Sequence, residues 1–289
     1  MNATPQPQDH DLLAALGGME SATLDQLRDA ERGGEGIRLP FPAMYAYVLN
    51  GDAKLKQLGN VQYFGGFATD ADKVGEMVEA GELPDFPEAW SAFEGQGEKG
   101  AYHSLGARSL RFAPIGYRQS WIGSDSAIRG EKYDPDKGLT RRHIQYLGQM
   151  LDDASHVFPV VITAKGYQAQ NLIEALGRWK TALGPHLKAL NATRFPLSAF
   201  WLHIGTTGPK PEFVTVGKKT THAITPIRPL IPEGLGLEAV AALFVGRENL
   251  MLHGELLSQS AEWRGAWKAL DGANADIVQG EPVYKDLPA

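Results

Sequence analysis

Arg141-Arg142-His143-Ile144-Gln145-Tyr146-Leu147-Gly148-Gln149-Met150-Leu151 alternates in character: Ile144, Tyr146, Gly148 and Met150 fall on one side, and Arg141, His143, Gln145 and Gln149 on the other. A period of two predicts a β-strand with unlike faces. Shortly afterwards, Val157-Phe158-Pro159-Val160-Val161-Ile162-Thr163 is a β-branched run of the kind that fills a central strand. Upstream, residues 109–122 read as a long strand interrupted at Pro114 and Gly116, where a bulge or bend is expected. These three strands decide the fold.

Beyond them, Lys165-Gly166 closes the third strand and a helix begins, with Leu172, Leu176, Trp179 and Leu183 recurring on one face. Gly184-Pro185 is expected to break or bend it. Two further strands are read over 199–205 and 213–227, flanking a Gly- and Pro-containing loop. The resulting order, β-β-β-α-β-β, is that of an OB-fold, a five-stranded Greek-key barrel. The expected class is therefore α+β, with an OB-like five-stranded β-barrel over 105–230.

The flanks read differently. Residues 1–36 form a flexible N-terminal arm with one short helical pattern at 23–32. Residues 37–104 make a β-rich acidic extension: a strand at 41–49 ended by Asn50-Gly51, a second at 61–67, a helix near 71–80, and a Gly- and Glu-rich loop to residue 100. Residues 231–272 are C-terminal helices; two tryptophans, Trp263 and Trp267, on one stripe with Leu256 mark a face packed on the core. Residues 273–289 form a loose tail.

Composition narrows the classes. With 43% hydrophobic and 21% charged residues in 289, the chain is of ordinary globular character. The absence of Cys removes disulfides, thiolate nucleophiles and thiolate metal sites. The first residues carry neither a basic start nor an apolar run, and no stretch approaches a bilayer span, so a cytoplasmic protein without membrane contact is expected. The net charge of −6 conceals an asymmetry. Residues 1–100 carry 7 Lys and Arg against 17 Asp and Glu, residues 101–250 carry 18 against 11, and the remainder 3 against 6. A basic middle between acidic flanks can steer an anionic ligand.

Within that middle, cations and rings interleave: Arg108, Arg111, Tyr117, Arg118, Trp121, Arg129, Lys132, Tyr133, Lys137, Arg141, Arg142 and His143, with Lys165 ending the third strand and Lys218 and Lys219 on the fifth. A single-stranded nucleic acid exposes both phosphates and flat base faces, so its binder needs cations for the first and aromatic platforms for the second. Phe112 and Tyr146 sit in apolar alternation and are assigned to the core. Tyr117 and Trp121 are expected to share a face with Leu110 only if no bulge intervenes. Tyr133, beside Lys132 and Asp134 in a polar loop, has no core to enter and is the leading stacking residue.

In strand order and charge placement, in Asn50-Gly51 ahead of Gly65-Gly66-Phe67, and in Phe158-Pro159-Val160-Val161-Ile162-Thr163-Ala164-Lys165-Gly166 ahead of a helix, much of residues 38–228 resembles the OB-fold single-stranded DNA-binding proteins of phages and mobile elements. The resemblance implies sequence-tolerant binding of single-stranded DNA, or RNA, in replication, recombination or mobile-element DNA processing. From the residues themselves no cofactor, no metal and no catalytic residue is expected; the partners would be the nucleic acid, further copies of the chain, and replication or recombination proteins. Such proteins often end in an acidic tail, whereas this chain ends in the only mildly acidic Glu281-Pro282-Val283-Tyr284-Lys285-Asp286-Leu287-Pro288-Ala289.

Two other classes are weighed. Asp152, Asp153 and His156 could serve a metal-dependent nucleic-acid enzyme, although adjacent Asp residues between strands more often form turns. Alternatively, the rings meet another chain, and the protein is an interaction subunit of a nucleoprotein assembly. Gly217-Lys218-Lys219-Thr220 lacks the upstream Gly of a phosphate loop, and no Gly-x-Ser-x-Gly elbow occurs.

Overall fold

The computed structural model describes residues 38–50, 57–58, 61–62, 65–84, 90–97, 100–123, 129–153, 155–206, 212–216 and 220–268. The expected arm at 1–36, the loose tail at 273–289, Gly51, Lys218 and Lys219 lie outside them.

In chain order the elements are β1 (Met44–Asn50), β2 (Gln57–Leu58), β3 (Val61–Gln62), β4 (Gly65–Asp70), α1 (Ala71–Glu79), β5 (Ser91–Gly97), β6 (Gly100–Ala107), β7 (Ser109–Ile122), β8 (Arg129–Gly130), β9 (Arg141–Leu151), β10 (Val157–Lys165) and α2 (Tyr167–Ala189). Then follow β11 (Leu202–Gly205), β12 (Glu212–Val216), β13 (Thr220–Ile224), β14 (Arg228–Pro229), α3 (Leu237–Ala242), α4 (Arg247–Gln259) and α5 (Ala261–Gly265). The class is α+β. A curled mixed sheet runs β14-β11-β7-β9-β10-β1-β4-β6-β5, with β8 added to β7.

Four of the five expected barrel strands lie side by side, in the order β11-β7-β9-β10. The fifth differs. The run at 213–227 is two strands, β12 and β13, which pair with each other in a separate ribbon with Val216 opposite Thr220. Pairing with an immediate neighbour closes a far smaller loop than pairing with a distant strand, so it carries the lower entropy cost. The place beside β10 goes to β1, which pairs with it in parallel, Met44 opposite Val160. β10 is thus covered on both sides, as its β-branched run requires. The expected boundary near residue 104 falls inside β6, within that same sheet.

Other sequence expectations are corrected too. The region 69–100 was expected to hold a helix and a loop; it also begins a hairpin of β5 and β6, whose Gly-rich sequence carries no clear alternation. The helix does not stop at Gly184-Pro185, because Leu183 is buried and Leu187 packs on the same core, holding the last turn on the sheet. The strand expected at 199–205 begins only at Leu202, after a short 3-10 turn at Leu197–Ala199.

The bulge in β7 sets which side chains share a face. Pro114 lies opposite Gly148 and Gly116 opposite Leu147, leaving Ile115 without a partner on β9. Pro donates no hydrogen bond, which suits it to such an interruption. Directly opposed residues share a face, so the expectation that a bulge would part Tyr117 and Trp121 from Leu110 is reversed: the one inserted residue shifts the phase, and Leu110, Phe112, Tyr117, Gln119 and Trp121 all fall on one side of the sheet, with Ile144, Tyr146 and Met150 of β9. Arg118 and Ser120 fall on the other, with His143 and Gln145. Gly148 makes the crossing possible: a Cβ there would lie 2.3 Å from both the Ala113 carbonyl oxygen and the Phe112 ring.

α2 covers the first side, where Ala169, Leu172, Leu176 and Trp179 join Phe112, Ile144, Met150, Val160 and Ile162 in the main core. α4 and α5 pack against the second. There Trp263 joins Leu147 and Val161, flanked by Leu39, Phe41, Ala43 and Tyr45. The expectation that the tryptophan stripe is core holds in the structure: Trp263 and Trp267 are both buried.

Candidate nucleic-acid interface

The interleaved cations and rings do not form one surface. Three groups occupy three places on the β7–β9 ladder.

The first group lies beneath α5. Arg118 is only 7% exposed. Its Nε donates to Gln145 Oε1 at 2.8 Å, and Gln145 Nε2 donates to Thr163 Oγ1 at 3.2 Å, so one polar row crosses β7, β9 and β10. The guanidinium lies 4.2 Å from the Trp263 ring centre and 4.4 Å from that of Trp267. Arg129 sits 4.4 Å from the Trp267 ring, and the His143 ring 4.7 Å from it. His143 is fully buried; burial, and then the charges of Arg129, Lys165, Arg118 and Arg141, hold its pKa well below the ordinary imidazole value. Arg141 donates through Nε and an Nη to the Gly123 carbonyl. Arg118 and His143 are therefore corrected from ligand-binding to structural residues, since no strand of nucleic acid reaches them. Alternation showed a polar face, and the tryptophans that cover it come from far along the chain.

The second group lies at the opposite end of β7. Arg111 donates to the Asp152 carbonyl and, at 3.1 Å, to Asp153 Oδ1. Asp152 accepts from the His156 backbone N–H at 2.7 Å and lies 2.9 Å from His156 Nδ1. Asp152 thus closes its own turn, and among the described residues no group of three His, Asp or Glu is arranged to hold a metal. A cleft of about 230 Å³ opens here, lined by Trp90, Ser109, Arg111, Asp153 and His203 among others. Burial first, then the Arg111 charge, lowers the His203 pKa. Arg108 lies exposed beside this end, its carbonyl accepting from the Thr206 N–H.

The third group forms an open strip on the α2 side of the sheet, beyond the helix. Tyr117 is 53% exposed and its ring centre lies 5.4 Å from that of Tyr146. Burial, with a further contribution from Tyr117, pushes the Tyr146 phenol up to about 12. Trp121 pairs with Arg142 across the ladder, and the Arg142 guanidinium carbon lies 5.2 Å over its ring. Arg142 also donates to Gln170 Oε1 of α2 at 3.3 Å. Tyr133, 56% exposed, stands edge-on to Trp121 at 5.1 Å.

Local chemistry fixes Tyr133 there. Asp134 exchanges backbone hydrogen bonds with Leu139, and Asp134 Oδ1 accepts from the Lys137 N–H, so residues 134–139 close a tight loop with Gly138 at φ +73°. Leu139 is buried against Gly130, where a Cβ would come within 2.6 Å of its Cδ1. Gly130 in turn pairs with Trp121. Lys132 and Lys137 are exposed on the loop, Lys137 3.5 Å from Asp134 Oδ2. Lys165, half-buried, ends β10 opposite His143.

Of the described residues proposed from sequence, the structure therefore gathers Tyr117, Trp121, Lys132, Tyr133, Lys137 and Arg142 at one end of the ladder. It separates Arg108 and Arg111 from them and buries Arg118 and His143. Sequence reading missed Gln119 and Gln170; plain alternation sets Gln119 between Tyr117 and Trp121, and the bulge decides only which side of the sheet the three share. No protein-family model, curated protein or solved structure matches this chain. No described helix is long and apolar enough to cross a membrane.

Proposed function

We propose that the protein binds single-stranded nucleic acid, most readily DNA, without strict sequence preference, on the strip formed by Tyr117, Trp121, Tyr133, Arg142, Lys132 and Lys137. The observation that carries this reading is the grouping of Trp121, Tyr133 and the Arg142 guanidinium beside the exposed Tyr117 ring. Rings offer stacking to any base and the cations follow the phosphates. The strand order β11-β7-β9-β10 supports an OB-like arrangement, in which strands two and three and the loop after strand one present the ligand. Here that loop carries Tyr133. Roles in replication, recombination or mobile-element processing, and association with further copies of the chain or with proteins of those pathways, follow from the same reading.

The test is fluorescence anisotropy with single- and double-stranded DNA and RNA of equal length over a salt series. Log affinity for the single strand should fall with log salt by about 0.7 per phosphate neutralised. Tyr133→Ala should weaken binding by about 5- to 150-fold, the equivalent of about 1–3 kcal/mol for one stacked base. Salt-independent affinity, or wild-type binding by a Tyr133→Ala, Trp121→Ala double variant, rejects the proposal.

A second reading rests on the C-terminal helices and their surroundings, where Met251, Leu190, Leu237 and Phe195 are all exposed. Exposed apolar groups of this kind suit an interaction subunit of a larger assembly. That protein would bind no oligonucleotide and would co-purify with one partner at fixed ratio.

A further inference from the structure

Tyr117, Gln119 and Trp121 follow one another on the same face of β7. Gln119 is exposed, and its carboxamide has no hydrogen-bond partner among the described residues. Its cross-strand neighbour Ile144 is buried, so the amide stands over an apolar floor between two rings. Four residues of extended strand place Trp121 about 13 Å from Tyr117. Bases stacked at about 3.4 Å would put three others between those platforms. A strand drawn out to about twice that rise puts one there, because alternate residues of β7 repeat at about 6.7 Å.

We infer that this row takes three successive nucleotides of an unstacked strand, the outer bases on Tyr117 and Trp121 and the middle base on the Gln119 carboxamide. The inference rests on the binding reading above and adds its register and its one point of base selection. A carboxamide presents a donor and an acceptor side by side, the complement of adenine N7 and N6. Adenine is therefore the favoured middle base. A duplex, whose bases remain stacked, cannot occupy both rings. The row tolerates any outer base and selects at the centre alone.

The experiment uses the full chain and three trinucleotides, d(TAT), d(TTT) and d(T-abasic-T), titrated by tryptophan fluorescence, with dT12 as a length control. Wild-type protein should bind d(TAT) more tightly than the abasic trimer by about 5- to 150-fold, the range of one good bidentate pair. That ratio should collapse to near one in Gln119→Ala, whereas Tyr117→Ala should weaken all three trimers by a common factor. Gln119 is exposed, so its replacement leaves the fold intact, and an unchanged thermal melt verifies this. Equal affinity for d(TAT) and the abasic trimer, or an unchanged ratio in Gln119→Ala, overturns the three-nucleotide register while salt-dependent dT12 binding still stands. Absence of dT12 binding removes the binding reading itself, and this inference with it.

Discussion

The two faces of β7 carry the same ingredients and use them in opposite ways. On the α5 side, Arg118 and Arg129 meet Trp263 and Trp267, protein cations on protein rings, with the neutral His143 ring beside Trp267. On the α2 side, beyond the helix, Arg142 meets Trp121, Trp121 meets Tyr133, and Tyr117 stands open. A cation against a ring is thus no sign of a ligand site by itself; what matters is whether the chain supplies the cover. The buried pairs gain strength from exclusion of water, and the exposed ones stay weak until something displaces their solvent.

The sharpest way to break this contrast is to remove the cover. Trp263→Ala should lower unfolding stability by about 3–5 kcal/mol in urea titrations, through the cavity and the stranded Arg118. Gly148→Ala attacks the crossing that assigns residues to faces; with a Cβ 2.3 Å from backbone and ring alike, a loss of about 3 kcal/mol is expected in the same titration. A matched pair then compares the faces directly. Arg118→Met should cost about 1–3 kcal/mol because Gln145 loses its donor, whereas Arg142→Met should cost under about 0.5 kcal/mol and instead weaken oligonucleotide binding. Equal destabilisation by the two would erase the distinction.

The smallest effect is the pH response. His143 is held neutral in the folded chain, chiefly by burial. Its folded pKa lies below the unfolded value of about 6.5, so the unfolded chain takes up the proton first. Stability should be flat above about pH 6.5 and decline as pH falls below it. His143→Gln should reduce that slope in urea midpoints measured from pH 7.5 to 5. The lowered pKa values of His203 and His253 leave a residual slope.

Sequence carried the central ladder well. The limits of β7 and β9, the bulge near Pro114, the third strand and the helix after Gly166 follow from alternation, Pro and Gly placement, and a helical stripe. What it did not carry depends on distance along the chain. The parallel neighbour of β10 is β1, and nothing local in either run names the other. The β5–β6 hairpin rests on backbone pairing in a stretch without alternating apolar residues. The polar side of β9, expected to offer Arg141 and His143 to a ligand, takes its cover from Trp263 and Trp267, more than a hundred residues downstream. For the site, residue type was legible and grouping was not: one inserted residue, Ile115, sends Arg118 inward and leaves Tyr117 outward.

The late position of Trp263 also orders events during synthesis. β7, β9 and β10 can pair as soon as Lys165 clears the ribosome, yet the row Arg118–Gln145–Thr163 stays wet until α5 has been made. A chain truncated before residue 263 therefore leaves the Arg118 guanidinium without either of the rings that cover it.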